Sequence, residues 1–370
     1  MMSDRPTRRS FLKSPLGSSV PAGASRASSP PLTTERGALV ASVRRRIMAC
    51  EFEVQLAASR DDGSMEHIFA ALDLAESLEA QMTVYRGDSE VIRINRRAVN
   101  EPVRVESRLF ELFQLSDRLY RETEGAYDIT SGPLSEAWGF SRREGRIPSD
   151  AIIAAARARL GMQHLSLNDE ERTVAFQNPG MSVNFNSIGK GYALDRMAEQ
   201  LAVESVDDYL LHGGKSSVLA RGRQPGRGKP GWTVGLRHPL RPAERLAAFY
   251  LVDQALSTSG SGTQFFIRQG RRYGHILDPR TGRPAEGLYS ATVIAPSAAE
   301  ADALSTAFYV LGPQEVEKYC AAHPEIAAVL VAPAEREGDV QVFAFGLEDE
   351  RWESVIEPAL TTARNRRIAE

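Results

Sequence analysis

Segments of helical period and segments of strand length follow one another along this chain without regular alternation. That pattern restricts the fold class more than any single motif. Residues 47–57 alternate and predict a first strand. Residues 65–81, 106–123, 150–160 and 188–203 predict helices, the first two plainly amphipathic and the third rich in alanine. Two more helices are predicted at 298–311 and near 313–322. Short apolar runs read as strands at 165–167, 173–176, 209–211, 217–220, 233–236, 249–252, 291–295, 327–331 and 340–344. A doubly wound sheet needs strand and helix to alternate strictly. This chain does not, and it has no internal repeat of fixed period. The expected class is α+β, with mixed or antiparallel sheets flanked by helices.

Residues 1–40 are rich in Ser, Pro, Gly and Arg and predict a disordered tail ahead of a folded region spanning 41–370. Within the tail, Thr7-Arg8-Arg9-Ser10-Phe11-Leu12-Lys13 fits the twin-arginine export pattern. The stretch after it is only weakly apolar, so export and a cytoplasmic tail both stay open. Ile47-Met48-Ala49-Cys50 has the look of a lipoprotein cleavage box, but Arg44-Arg45-Arg46 stands where its apolar segment belongs. No apolar run approaches the roughly 20 residues that span a bilayer. The net charge of −3, without a domain-wide basic excess, argues against nucleic acid as a partner. Cys50 and Cys320 lack both disulfide and metal spacing and read as packing residues. Arg221 to Gly231 reads as a mobile loop.

Five segments carry possible chemistry. Gly274-His275-Ile276-Leu277-Asp278-Pro279-Arg280-Thr281-Gly282 follows the apolar run at 265–267 and predicts a strand breaking into a tight turn, with a histidine at the strand end. An ordinary hairpin has the same look. Ser297-Ala298-Ala299-Glu300 forms a capping box, and Asp302 and Thr306 then share one helix face. A carboxylate and a hydroxyl there suit Mg²⁺, although Asp302 also serves as a plain helix-dipole residue. Asn184-Phe185-Asn186-Ser187-Ile188-Gly189-Lys190 is a polar loop opening a helix, where phosphate binds readily; the same spacing fits a simple junction. Gly125-Ala126-Tyr127-Asp128-Ile129-Thr130 places acceptors beside aromatic residues, as a planar ligand with ribose hydroxyls would need, or as a connection with buried rings would have. Tyr85 can stack on a flat ring or simply pack. Two small-residue turns, His212-Gly213-Gly214-Lys215 and Ser257-Thr258-Ser259-Gly260, allow close backbone approach to a pyrophosphate.

In order along the chain these segments resemble the FAD:protein FMN transferase (ApbE) family. The resemblance runs from Met48 to about residue 312 and rests on several stretches. They are Met48, Tyr85…Ser89-Glu90…Asn95, Ala126-Tyr127-Asp128-Ile129-Thr130, Ser187 through Ala193, Gly213-Gly214, Thr258-Ser259-Gly260, His275 through Gly282, and Ala301-Asp302-Ala303…Thr306. The resemblance implies an ApbE-like fold that binds FAD and Mg²⁺. It implies transfer of the FMN half of FAD to a Thr or Ser hydroxyl of a partner flavoprotein, with AMP released. By position it assigns Met48, Tyr85, Ala126, Tyr127, Asp128, Lys190 and Ile276 to FAD. Ser187, Asp302 and Thr306 fall to the metal, and His275 to the base. Two positions depart from the family pattern: Asn184 and Lys215 stand where Asp is usual. They motivate two other expectations, an FAD carrier of the same fold or a hydrolase that splits FAD into FMN and AMP.

Overall fold

A computed structural model describes residues 40–57 and 64–354, except positions 227, 261, 263 and 337. The arginine-pair tail therefore lies outside the described residues, as do 355–370. At the centre is an eight-stranded sheet whose strands pair in chain order. They are β1 (Val40–Ile47), β2 (Cys50–Ala57), β3 (Tyr209–Gly213), β4 (Ser217–Arg221), β5 (Ala255–Gly260), β6 (Ser290–Ala295), β7 (Ala327–Pro333) and β8 (Val340–Phe345). Every neighbouring pair is antiparallel. Six helices are inserted between β2 and β3: α1 (Ser64–Met82), α2 (Glu90–Arg97), α3 (Ser107–Glu122), α4 (Gly132–Ala137), α5 (Asp150–Arg157) and α6 (Gly189–Val203). Helices α7 (Ala298–Leu311) and α8 (Pro313–Ala322) join β6 to β7. The architecture is α+β with antiparallel sheets flanked by helices, as the patterning predicts.

The middle of the sheet is buried on both faces. Ala328 and Leu330 of β7 enter one apolar core, while Ala327, Val329 and Val331 enter another. This is the period of two that a strand imposes, and double burial explains why β7 reads as an unbroken apolar run. Helices α1, α6 and α7 close the first core. A small sheet of Trp232–Arg237, Arg245–Leu251 and Trp352–Ser354 closes the second.

Several expectations need correction. Residues 47–57 are not one strand. Ile47 pairs with Cys50 across a two-residue turn, and Met48 and Ala49 sit at φ of 51° and 58°. This mirror-type turn matches sheet twist but usually carries Asn-Gly, so Met-Ala hides it from a sequence reading. The lipoprotein-like box is the tip of this hairpin. Ser257-Thr258-Ser259-Gly260 is not a turn but the second half of β5, a central strand. Helix α5 stops at Arg157. Helices α2 and α4 are further elements that the periodicity does not predict.

One contact fixes how the site is assembled. A Cβ at Gly191 would lie 1.9 Å from the carbonyl oxygen of Ala298, so only glycine lets the starts of α6 and α7 touch. Gly191→Ala is expected to force the two helices apart and to cost at least the about 1–3 kcal/mol typical of overpacking. A urea midpoint equal to that of the parent protein would contradict this.

Candidate functional site

Where α6 and α7 meet, the carboxylate of Asp302 is the hub. It is only 2% exposed. Its Oδ2 accepts from the Gly191 N–H at 2.8 Å and lies 3.5 Å from Lys190 Nζ. Its Oδ1 accepts from the hydroxyls of Ser217 on β4 and Ser257 on β5. A buried carboxylate needs such a full set of donors. One turn along α7, Thr306 Oγ1 is 3.1 Å from Ser259 Oγ and donates weakly to the Asp302 carbonyl at 3.4 Å. The predicted capping box is half present. Ser297 accepts from the Glu300 N–H, while the Glu300 carboxylate pairs with Arg118.

Two side chains anchor the loops on either side of Tyr85 and Ser187. Ser89 caps α2 by accepting from the Ile92 N–H at 3.1 Å, and it donates to the Thr83 carbonyl at 2.6 Å. Asn95 clamps Val183 in both directions, at 3.0 and 2.8 Å. The Asn184 side chain accepts from the Asn186 N–H at 2.8 Å, a local turn bond that an aspartate in its place would also make. Asn186 Nδ2 in turn reaches the Tyr85 hydroxyl at 3.4 Å. Tyr85 is 70% exposed, so its ring face is open. Lys215 is exposed at the turn after β3.

Ala126, Tyr127 and Asp128 are buried. Burial pushes the Tyr127 hydroxyl well above its usual range, with Ser116 and Ser187 beside it pulling it back and the charges of Asp128 and Asp302 adding to the rise. Asp128 Oδ1 accepts from the Thr130 N–H and hydroxyl at 2.7 and 2.6 Å. Its Oδ2 is buried and lacks a protein partner. Burial raises this carboxyl to about 6 against the Thr130 bonds, which lower it. An orphaned buried oxygen is costly, and it fits a ligand that brings a donor.

His275 follows directly after the strand Arg271–Gly274, the return strand of a hairpin with Phe265–Arg268. The Gln264 carbonyl lies 3.0 Å from Nδ1 and so assigns the proton there, leaving Nε2 as the acceptor. Burial lowers the imidazole pKa below 6.5; the Gln264 bond opposes this and the Lys190 charge adds to it. The turn behind it is rigid. The Gly282 N–H donates to the Asp278 carbonyl at 2.7 Å, and Trp138 Nε1 donates to the Gly282 carbonyl at 2.9 Å. Gly282 has φ 74°, which favours glycine. Ile276 is buried within the main core. Met48 packs on that core at the hairpin tip, two residues before Cys50, whose thiol feels the Lys190 charge.

Lys190 thus neighbours Asp302, and its charge also reaches His275, while Tyr127, beside Ser187 and Asp128, feels the Asp302 charge. Asp302 and Thr306 lie one turn apart on α7, and Ser187 stands beside the Tyr127 hydroxyl. Among the described residues no cluster of three or more His, Cys, Asp or Glu is placed to hold a metal. The donors are all oxygen with a single carboxylate, the chemistry a hard cation accepts when it keeps water or phosphate. Ser217 and Ser257, which complete the Asp302 shell, were missed as individual residues. Their only signal was small polar residues at alternate strand positions.

A model of the ApbE family matches residues 48–330. The chain is 35% identical over 255 residues to the FAD:protein FMN transferase of Klebsiella pneumoniae (strain 342), covering 67% of this chain and 71% of that protein. It is 34% identical over 267 residues to the protein of the same name from Escherichia coli (strain K12), covering 70% and 74%. The apo flavinyl transferase ApbE of Pseudomonas stutzeri superposes with a TM-score of 0.73 at 31% identity, over 83% of this chain and 95% of that one. On the family match, the relatives and the shared fold together, this chain belongs to the ApbE family.

Proposed function

We propose that this chain is a flavin transferase. It moves the FMN half of FAD onto a Thr or Ser hydroxyl of a partner flavoprotein and releases AMP, with Mg²⁺ as the required cation. The observation that carries the reading is the junction of α6 and α7, where Lys190 lies 3.5 Å from the buried Asp302 carboxylate and its charge also reaches His275, whose Nε2 is left as an acceptor. The names of its relatives support the same chemistry.

The acceptor oxygen attacks the phosphorus on the FMN side of the pyrophosphate. The anhydride P–O bond breaks, and AMP leaves with that oxygen and its electron pair. The hydroxyl proton passes to Nε2 of His275, which Gln264 holds in the correct tautomer. Lys190 offsets the phosphate charge, and the α6 start adds its positive end. The Asp128 Oδ2 accepts from a donor on the flavin nucleotide, and Tyr85 offers a face for ring stacking. Asp302, with hydroxyls of the Ser187 and Thr306 type, would hold Mg²⁺, whose chemistry when bound is neutralisation of pyrophosphate oxygens. Lys190, at 3.5 Å, is the loosest of the Asp302 partners and the one a cation would displace.

The test is transfer itself. Protein, FAD, Mg²⁺ and a threonine-bearing acceptor subunit are mixed, and mass spectrometry looks for one FMN on the acceptor. An adduct that forms with Mg²⁺ and fails to form when EDTA is present from the start is the expected result, and it would show that Asn184 and Lys215 are tolerated. Tight FAD binding without an adduct on any acceptor tried would favour a carrier. Free FMN formed without acceptor would favour a hydrolase.

A further inference from the structure

The hairpin of Phe265–Arg268 and Arg271–Gly274 has a role that positioning His275 does not exhaust. Its inner side is a small core, with the Phe266 ring 5.1 Å from Tyr273 and 5.5 Å from Phe140. Its outer side is apolar and exposed, with Phe265 at 38% and Ile267 at 61%. Around these stand Arg268, Arg271 and Arg272, all exposed. Arg272 lies over the Phe265 ring, and Arg271 pairs with Glu286. The loop against the hairpin adds Arg142, Arg143 and Arg146, with Glu144 as its acid. Gln264 Nε2 donates to the Phe140 carbonyl at 3.3 Å and ties loop to hairpin. A dense basic patch on a chain of net charge −3, with aliphatic and aromatic surface at its centre, is more than a solvated face.

We propose that this hairpin and the adjoining loop dock the acceptor flavoprotein through an acidic surface that flanks its target hydroxyl; the proposal rests on the flavin-transfer reading. The occupant follows from continuity with the site. The His275 N–H donates to the Gln264 carbonyl at 3.2 Å, so hairpin and base form one rigid piece. Ile267 pairs with Arg272, three residues before His275, so the exposed apolar tip lies about 10 Å from the base at ~3.3 Å per residue. A folded protein that brings a hydroxyl to Nε2 must cover that tip. Complementary charge would speed the encounter and fix its register, while the apolar pair would be buried at its centre.

The test is binding without FAD, so it stands apart from transfer. Two short fluorescein-labelled threonine peptides are compared on the full chain by anisotropy. They are alike except that one has Asp and Glu flanks and the other Asn and Gln. The acidic peptide should bind at least about ten-fold more tightly, and the preference should shrink as salt is raised. Arg268→Ala with Arg271→Ala and Arg272→Ala should remove that preference while FAD affinity, read by flavin fluorescence, is unchanged. Arg142→Ala with Arg143→Ala, which leaves the hairpin untouched, should reduce it in part. Equal binding of the two peptides, or a preference that survives both variants, would overturn the proposal. So would a patch that ignores the acidic peptide and binds phosphatidylglycerol vesicles, which would make it a membrane surface. If the wild-type chain transfers no FMN yet keeps the arginine-dependent preference, the flavin-transfer reading fails and the patch stands only as a surface for acidic segments, no longer for a flavin acceptor.

Discussion

Asp302→Ala is expected to abolish FMN transfer, lowering turnover by at least about 10³-fold, the range set by several kcal/mol of lost charge stabilisation. It should also destabilise the fold. The substitution leaves the Gly191 N–H and the hydroxyls of Ser217 and Ser257 without their acceptor. Each buried group left unsatisfied costs about 1–3 kcal/mol. Lys190 is a quarter exposed, so water takes up part of its loss and the ion pair itself contributes little. Asp302→Asn separates the two effects. The amide oxygen still accepts from some of these donors, so the urea midpoint should fall less, whereas the charge is lost entirely. Turnover by the Asp302→Asn variant equal to that of the parent protein would remove the carboxylate from the mechanism.

The sheet and the larger helices were legible because their signals are collective. An apolar run such as that of β7, or the period of α1, averages over many residues and tolerates a single odd one. The hairpin tip at Met48 and Ala49 was not legible, because its positive φ values are imposed by pairing of β1 with β2 and not by turn-forming residues. Two non-glycine residues held there cost about 1–2 kcal/mol each, which the surrounding sheet must offset. Strand β5 was misread for a related reason. Ser257 and Ser259 look like turn residues, yet they lie in a central strand because α7 offers them Asp302, Ser305 and Thr306 as partners. Tertiary hydrogen bonding thus overrides local propensity at the place where the candidate site lies.

The roles proposed for Asp302, Lys190 and His275 were legible only as an ordered set of weak motifs. Spacing gave the face shared by Asp302 and Thr306, but no spacing rule brings α6 and α7 together. Gly191 does that, through a contact visible only in three dimensions. Likewise the Ser89 and Asn95 positions gain their meaning from the Thr83 carbonyl and from Val183, the latter 88 residues away from Asn95 in sequence.

His275→Ala is expected to lower kcat by about 10²–10⁴-fold, the usual worth of a positioned general base. FAD affinity should change little if, as proposed, the imidazole acts on the acceptor proton rather than on the nucleotide. The pH profile makes the test specific. A base works in its neutral form, and burial holds the His275 pKa below 6.5, so the parent rate should be flat above that pH and fall only as pH drops beneath it. Asp128 complicates this window, since its carboxyl is raised to about 6 and it too protonates as pH falls. The two predict different behaviour in the variant. If His275 sets the acid limb, the limb vanishes with the side chain and the residual rate is nearly independent of pH there. If Asp128 sets it through FAD binding, the limb survives in kcat/KM for FAD and is absent from kcat. A His275→Ala variant with full kcat would exclude the imidazole as the base and leave proton removal to solvent.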